Sequence, residues 1–434
     1  MSLFGSLNIG VAGLAANSAA LSATSSNIAN VNTVGYKQAT ANFSTFLNST
    51  GLSGGASAGV TAVIGQDVTT QGLPITTASP TDLSISGNGL FVVSPSSGSS
   101  VLEYTRAGSF TPDTDGNLVN AAGLYLRGWA LDSQGKIPTD TGNLSLINVS
   151  SVLGKAQATD NLGVQANLQA SDAIVSPYAA GDMAAGTVTP DFQRTINVYD
   201  SQGGSQPLTF SFAKTAANTW SYEITYSGAA GNVSTTGPLY SGTMKFNSDG
   251  SLANADTATT PASGNIALTI PWSATTGLQP QAINIALGTV NGTGGVTQYD
   301  STSIMNASSV DGSPFGSVTG VTISKDGTVT AQFSNGLSQD VYKIPVATFS
   351  NPDGLAQVSG NAYVANKSSG AANINVANSG SAGGIASQSL EGSTVDLAAE
   401  FTNLITTQRA YSASARIITT VDQMLQQLEQ LPTG

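Results

Sequence analysis

The 434-residue chain contains no cysteine and no histidine. Without thiols there can be no disulfide, thiolate metal site or cysteine nucleophile. Without imidazole the commonest general base and metal ligand are gone. Charge is nearly as scarce. Only 9% of residues are Asp, Glu, Lys or Arg, against roughly 25% in an ordinary soluble domain. The 13 basic residues are outnumbered by 25 acidic ones, for a net charge of −12, and form no basic run. Phosphate binding needs clustered Lys and Arg, so no nucleic-acid partner is expected, nor attraction to an anionic membrane surface. No stretch approaches the ~20 consecutive apolar residues of a bilayer span, so no membrane insertion is expected. Met1 is not followed by a basic segment and a compact apolar core, so no Sec-type signal is expected. Freedom from cysteine suits passage between compartments of different redox state.

What the chain does have is ends unlike its middle. Residues 1–36 carry no charged side chain, and Lys37 is the only one before Asp67. Leu7, Leu14, Leu21 and Ile28 recur every seven positions, with Phe4 and Val11 on the adjoining edge. This is a helical stripe at coiled-coil spacing. A long helix without charge on any side is expected to be enclosed by protein on several sides; the plainer alternative is an ordinary core helix. The C-terminus answers with Leu397, Leu404, Tyr411, Ile418 and Leu425, filled in by Phe401, Ala415, Val421 and Leu428. Asp396 and Glu400 stand early and Arg409 and Arg416 later, the polarity that suits a helix dipole. Pro432 closes the pattern. Each end is therefore expected to be an amphipathic helix of ~40 Å, at 1.5 Å rise per residue.

Residues 51–59 and 368–389, rich in Gly, Ser and Ala, read as linkers. Between them strand character dominates, at 90–93, 124–131, 195–199, 208–212, 220–226, 321–323, 329–333 and 341–348. Asp115-Gly116, Asp249-Gly250, Asp326-Gly327 and Asn335-Gly336 are turn signals. The expected class is α+β and multidomain: terminal α-helices, a mainly-β middle domain and an inserted all-β outer domain. Boundaries near Ile147 and Asp311-Gly312 make three parts. Residues 1–70 with 390–434 form the helical end domain and its linker, 71–147 with 311–389 the middle domain, and 148–310 the insertion. The two ends return to the same place.

Three fragments have an enzyme-like look. Gly87-Asn88-Gly89 is glycine-rich like a phosphate loop but precedes a strand, so a β-turn is expected. Asp113-Thr114-Asp115-Gly116-Asn117 lacks the Gly spacing and terminal Glu of a calcium loop, so a hairpin turn is expected. Glu391, Asp396 and Glu400 are expected as charges at a helix N-terminus. No catalytic set, cofactor or metal is expected, and the chain is not expected to be an enzyme.

The run Ser25-Ser26-Asn27-Ile28-Ala29-Asn30-Val31-Asn32-Thr33-Val34-Gly35-Tyr36-Lys37 resembles the N-terminal signature of the flagellar axial proteins. That family comprises the rod, hook and hook–filament junction proteins. Val395-Asp396-Leu397, Glu400-Phe401 and Gln408-Arg409-Ala410-Tyr411, continuing through Ala415, Ile418-Thr419-Thr420 and Asp422-Gln423-Met424-Leu425, resemble the matching C-terminal signature. Physically the first signature is a helix stop, in which Asn30 and Asn32 can take left-handed dihedrals and Gly35 supplies a positive φ. Thr105-Arg106-Ala107-Gly108-Ser109-Phe110 and Asp115-Gly116-Asn117-Leu118-Val119-Asn120 are similar to segments that hook and distal rod proteins share. Gly128-Trp129, Val198-Tyr199-Asp200-Ser201, Asn218-Thr219-Trp220, Ala347-Thr348-Phe349, Asn351-Pro352 and Gly354-Leu355 look like the hook members. A distal rod or junction protein is the alternative within the family. A secreted β-rich adhesin or surface-layer protein is the alternative outside it.

The resemblance implies a structural subunit that polymerises into a curved, flexible tube, a universal joint that transmits torque from rod to filament. It implies terminal helices paired as an antiparallel coiled coil around the export channel, with the middle and then the inserted β-domain outside. The implied partners are further copies of the chain, the distal rod, hook cap and hook–filament junction proteins, and the flagellar type III export apparatus with its length-control components. The implied location is extracellular, in the hook. The residues expected at the assembly interface are Leu7, Val11, Leu14, Leu21, Asn27, Ile28, Asn30, Gly35, Tyr36, Leu397, Phe401, Leu404, Tyr411, Ile418 and Leu425. The helices are expected to be largely disordered in the free subunit and to fold on assembly.

Overall fold

The computed structural model describes residues 3–48, 57–132, 134–139, 142–150 and 154–429. It begins with helix α1 (Leu3–Ala29) and ends with helix α2 (Leu397–Glu429). Among the described residues everything between is strand, turn or short 3-10 helix, the α+β pattern expected. After α1 come β1 (Ala39–Asn48), β2 (Ser57–Gln66), β3 (Pro74–Thr76), β4 (Leu83–Ser86) and β5 (Leu90–Ser94). The chain divides into two compact units. The first is Met1–Val152, Gly320–Gln332 and Ser338–Gly434; the second is Leu153–Thr319 and Phe333–Leu337.

In the first unit β5 shows how sequence becomes core. Phe91 and Val93 enter one apolar cluster with Leu83, Phe110, Leu126 and Ile147, while Leu90 and Val92 enter another with Trp129 and Tyr363. That alternation is the two-residue period of a strand buried on both faces. Each such side chain contributes about 1.5–3 kcal/mol by leaving water. β5 pairs antiparallel with Glu103–Thr105, Tyr125–Ala130 and Pro345–Thr348.

The linker expectation for 368–389 is corrected. Asn373–Val376 pairs with Pro345–Thr348, and Gly384–Ser387 pairs with β4. Small side chains hid the strand Gly384–Ser387, and Asn373–Val376 is only four residues long in a Ser-, Gly- and Ala-rich stretch. A ladder needs only backbone N–H and C=O, however, and Ile385, Ala377 and Ala382 supply the buried apolar surface. Likewise residues 57–59 belong to β2, whose register with β1 runs unbroken from Ala39↔Gln66 to Asn48↔Ser57. Two strands alone are marginal; here α1 packs against β2. Residues 51–56 and Pro432, with the side chains of Phe4 and Leu428, lie outside the described residues.

The second unit has its own core. A five-stranded antiparallel meander runs in chain order from Phe192–Tyr199 to Leu252–Asn254. It contributes Phe210, Phe212, Trp220 and Tyr222. A second five-stranded sheet, built around Asn161–Gln169, contributes Leu162, Val164, Ile266 and Ile283 to the same cluster. Asn161–Gln169 pairs in parallel with Gln281–Ala286 and Val296–Tyr299 and antiparallel with Ile304–Val310.

The suspected calcium fragment is the turn of a hairpin between Phe110–Pro112 and Leu118–Asn120. The Asp113 carboxylate accepts the N–H groups of Asp115 and Asn117 at 2.9 and 2.8 Å, so it is spent on closing that turn. Gly87-Asn88-Gly89 is a bend that connects β4 to β5 and opens no helix.

Candidate functional site

The terminal helices lie against each other within the first unit. A Cβ on Gly10 would sit 3.0 Å from Ile418 Cγ1, and one on Gly13 would sit 3.0 Å from Ser414 Oγ. Asn27, near the end of α1, meets Glu400, at the start of α2. As α1 numbers rise α2 numbers fall, so the pair is antiparallel. Glycine costs a helix about 1 kcal/mol relative to alanine. Here it removes the side chain that would hold the helices apart.

The deepest face of α1 is consequently made of small residues: Gly10, Gly13, Ala16, Ala20, Ala23, Thr24 and Asn27 are buried. Leu7, Leu14, Leu21 and Ile28 flank that face and are half-buried, while Val11 is 52% exposed. On α2, Leu404, Ile418 and Leu425 are half-buried and Val421 is buried. Leu397, Phe401 and Tyr411 are 39%, 53% and 40% exposed, and Ile405, Ile417 and Met424 are exposed with them. The fifteen expected residues therefore form several groups rather than one continuous face.

Asn27, Gly35 and Tyr36 are buried, and Asn30 half-buried, in a polar knot where the chain ends meet. Gly35 has φ +66°, the left-handed value read from the signature. A Cβ there would lie 2.6 Å from the Arg106 carbonyl carbon, so close backbone approach requires glycine as much as the dihedral does. Asn27 is saturated. Its Nδ2 donates to the Ala39 carbonyl at 2.8 Å and to Glu400 Oε1 at 3.0 Å, while its Oδ1 accepts from Ala39 N–H and the Tyr36 hydroxyl. Asn30 caps the helix end by donating from Nδ2 to the Ser26 carbonyl at 2.9 Å.

The knot also holds a charged triad. Lys37 Nζ stands 2.6 Å from Glu391 Oε1, and Arg106 NH1 stands 2.8 Å from Glu391 Oε2. Their side chains are 0%, 1% and 3% exposed for Lys37, Glu391 and Arg106. Arg106 also donates to the carbonyls of Ile85 and Gly87, and Lys37 donates to that of Thr70. Burial pushes both cations' pKa values down and Glu391 opposes this. Burial, and then the nearby Glu400, pushes the Tyr36 hydroxyl up.

This corrects the expectation for Glu391, while Asp396 and Glu400 do stand at the N-terminus of α2. Asp396 does cap α2, its Oδ1 accepting Ala398 and Ala399 N–H at 2.8 and 3.2 Å. Glu391 instead sits in the strand Ser389–Glu391, which pairs with β3, and carries the ion pairs. Glu400 is 1% exposed and serves Asn27 and Gln38.

Among the described residues no helix is long and apolar enough to cross a membrane. Family models match four stretches of the chain. A flagellar basal body rod protein model matches residues 7–37, and a flagellar hook protein FlgE/F/G D1 domain model matches 84–152. A flagellar basal body protein FlaE D2 domain model matches 167–313, and a flagellar basal body rod FlgEFG C-terminal model matches 386–431. The chain is 33% identical to the flagellar hook protein FlgE of Caulobacter vibrioides, with 99% of each covered. It is 35% identical to that of Rhizobium meliloti, over 99% of this chain and 100% of the relative. With that of Salmonella typhimurium it shares 32%, over 97% and 98%. Near-complete coverage of both partners at these identities settles the assignment: the chain belongs to the flagellar hook protein family.

Proposed function

We propose that this structural hook subunit polymerises through the outward faces of its terminal helices, while the buried signature residues hold the protomer itself together. The observation that carries this is the uncovered apolar row on α2. Leu397, Phe401 and Ile405 stand four residues apart and are 39–53% exposed. Residues at that spacing share one helix face, and an uncovered face of this kind marks an interaction surface. Leu397, Phe401, Tyr411 and Val11 are then contacts to neighbouring copies. Asn27, Asn30, Gly35 and Tyr36 serve assembly by fixing where α1 points. Leu7, Leu14, Leu21, Ile28, Leu404, Ile418 and Leu425 are shared between the antiparallel coiled coil and its neighbours.

In this reading the helices line the export channel, with the middle β-domain around them. The partners are the distal rod protein, the hook cap, the junction proteins, and the type III apparatus with its length-control components, which delivers the subunit to the cell exterior. Uncharged Ser, Thr and Asn surfaces suit contacts that shift as the tube bends, since sliding breaks no desolvated ion pair. Electron microscopy of purified protein induced to polymerise tests the reading, comparing the full chain with Phe401→Ser/Ile405→Ser and with a chain lacking its last forty residues. Curved tubes from the full chain alone are expected. Tubes from both variants would remove the helices from the interface, and straight tubes from the full chain would favour a rod protein.

A further inference from the structure

Residues 1–66 contain a single charged side chain, Lys37, and it points inward, 0% exposed, onto a carboxylate from the far end of the chain. Glu391 does more than neutralise it. Oε1 also accepts the Gly72 N–H at 2.9 Å, Oε2 binds Arg106, and the Glu391 carbonyl accepts the Gly35 N–H at 2.7 Å. One residue thus ties the end of the first signature, the segment before β3, and Arg106. The backbones it joins are in contact, since a Cβ on Gly72 would lie 2.1 Å from the Gly392 carbonyl oxygen. Among the described residues no other carboxylate forms an ion pair with Lys37 or Arg106. Closing this region without Glu391 would bury two cations with no ion-pair partner, which is strongly disfavoured.

We propose that Glu391 is the positioning residue of the N-terminal arm: α1 and the β1–β2 hairpin take their place in the first unit only after the strand Ser389–Glu391 has seated its carboxylate between Lys37 and Arg106. The arm is therefore built last, although it is synthesised first. Through Gln66 the arm's own side chains offer Lys37 no anion. Asp67, whose charge also favours the cation, spends its carboxylate on Thr69 and Thr70, so the arm gains its paired anion only from the C-terminal segment. Two further ties from the same segment close with it, Gln38 N–H to Thr394 Oγ1 at 2.9 Å and Thr394 N–H to the Tyr36 carbonyl at 3.1 Å.

Hydrogen exchange on the full-length protein tests this in two ways. In Glu391→Gln, exchange over residues 33–38 and 70–73 should rise on the order of 100-fold or more, while β5 and residues 208–212 keep their wild-type rates. In Lys37→Met/Glu391→Gln it should rise no further than in Glu391→Gln alone, because both changes undo one interaction. Unchanged exchange at 33–38 and 70–73 would overturn the proposal, as would an equal rise in β5, which would make Glu391 a support of the whole sheet. The second test needs no variant. In pulse-labelled refolding of the wild type, the Gly35 and Gly72 amides should gain protection together with residues 389–391 and after β5. Protection of either amide before residues 389–391 would overturn the latch.

Discussion

Asn27 makes four hydrogen bonds with one amide group, two as donor and two as acceptor. Asn27→Asp keeps the shape but loses both donors and sets a second carboxylate against Glu400. The expected loss is about 3 kcal/mol or more at pH 7, partly recovered below about pH 5 as one carboxyl takes up a proton. Urea unfolding at pH 7 and pH 4 measures this, and an equal loss at both would refute the electrostatic part. Asp326 should behave in the opposite sense. Lys343, Ser324 and Thr328 hold its carboxyl well below the ordinary carboxylate range. Because the folded value is depressed, its stabilisation is complete above about pH 4 and fades as pH falls further. It is half exposed, so solvent screens the effect to a small one. The gap in unfolding midpoint between wild type and Asp326→Asn should close between pH 5 and pH 2; a constant gap would mean the ion pair contributes nothing that titrates. The knot itself was only half legible. Gly35 could be read as a left-handed stop, but no local pattern joins Lys37 to a partner 354 positions away. The available signal was the isolation of Lys37, the single charged side chain of residues 1–66 in a chain that spends few.

Helices α1 and α2 were visible in the sequence because apolar residues every seven positions have little other explanation. Which face lies deepest was not, since the leucines drew attention from the glycines and alanines between them. Close approach at Gly10 and Gly13 makes a specific prediction. Gly13→Leu improves intrinsic helix propensity by nearly 1 kcal/mol yet must separate α1 from α2, and overpacking costs about 1–3 kcal/mol. Thermal unfolding followed by circular dichroism should therefore show a net loss, and a gain would mean the helices do not rely on that contact. The β1–β2 hairpin escaped notice for a related reason. Its connecting region is Gly- and Ser-rich, and Thr, Ala, Ser and Gly along both strands blur the alternation that marks a half-buried strand. By contrast, β5 was legible at once, as four consecutive apolar residues following a glycine turn.

Across the whole molecule, the all-β middle could be read from its turns. Asp-Gly and Asn-Gly pairs punctuate it, and Gly116, Gly250, Gly327 and Gly336 all have positive φ. The parallel pairing of Asn161–Gln169 could not be read, because parallel neighbours are joined by long connections with no local signature. The second unit buries its own cluster of Phe, Tyr, Trp and Ile, so its removal need not expose the first unit's core. Deleting residues 149–309 is expected to leave tube assembly intact while straightening or stiffening the polymer, as judged by electron microscopy. Failure to form any tube would mean the second unit is needed for the inner assembly itself.

The crossing of Lys37, Gly35 and Arg106 at Glu391 also defines a mechanical path. Tension that enters the subunit along α1 and leaves along α2 would be shared between the helix–helix contact, the Asn27–Glu400 bond and these bonds, which cross the chain by skipping 354 positions of sequence. The β sheets between are a side branch of the load rather than a link in series. They can deform under load while a handful of buried, charge-assisted bonds keeps the two ends of the chain together.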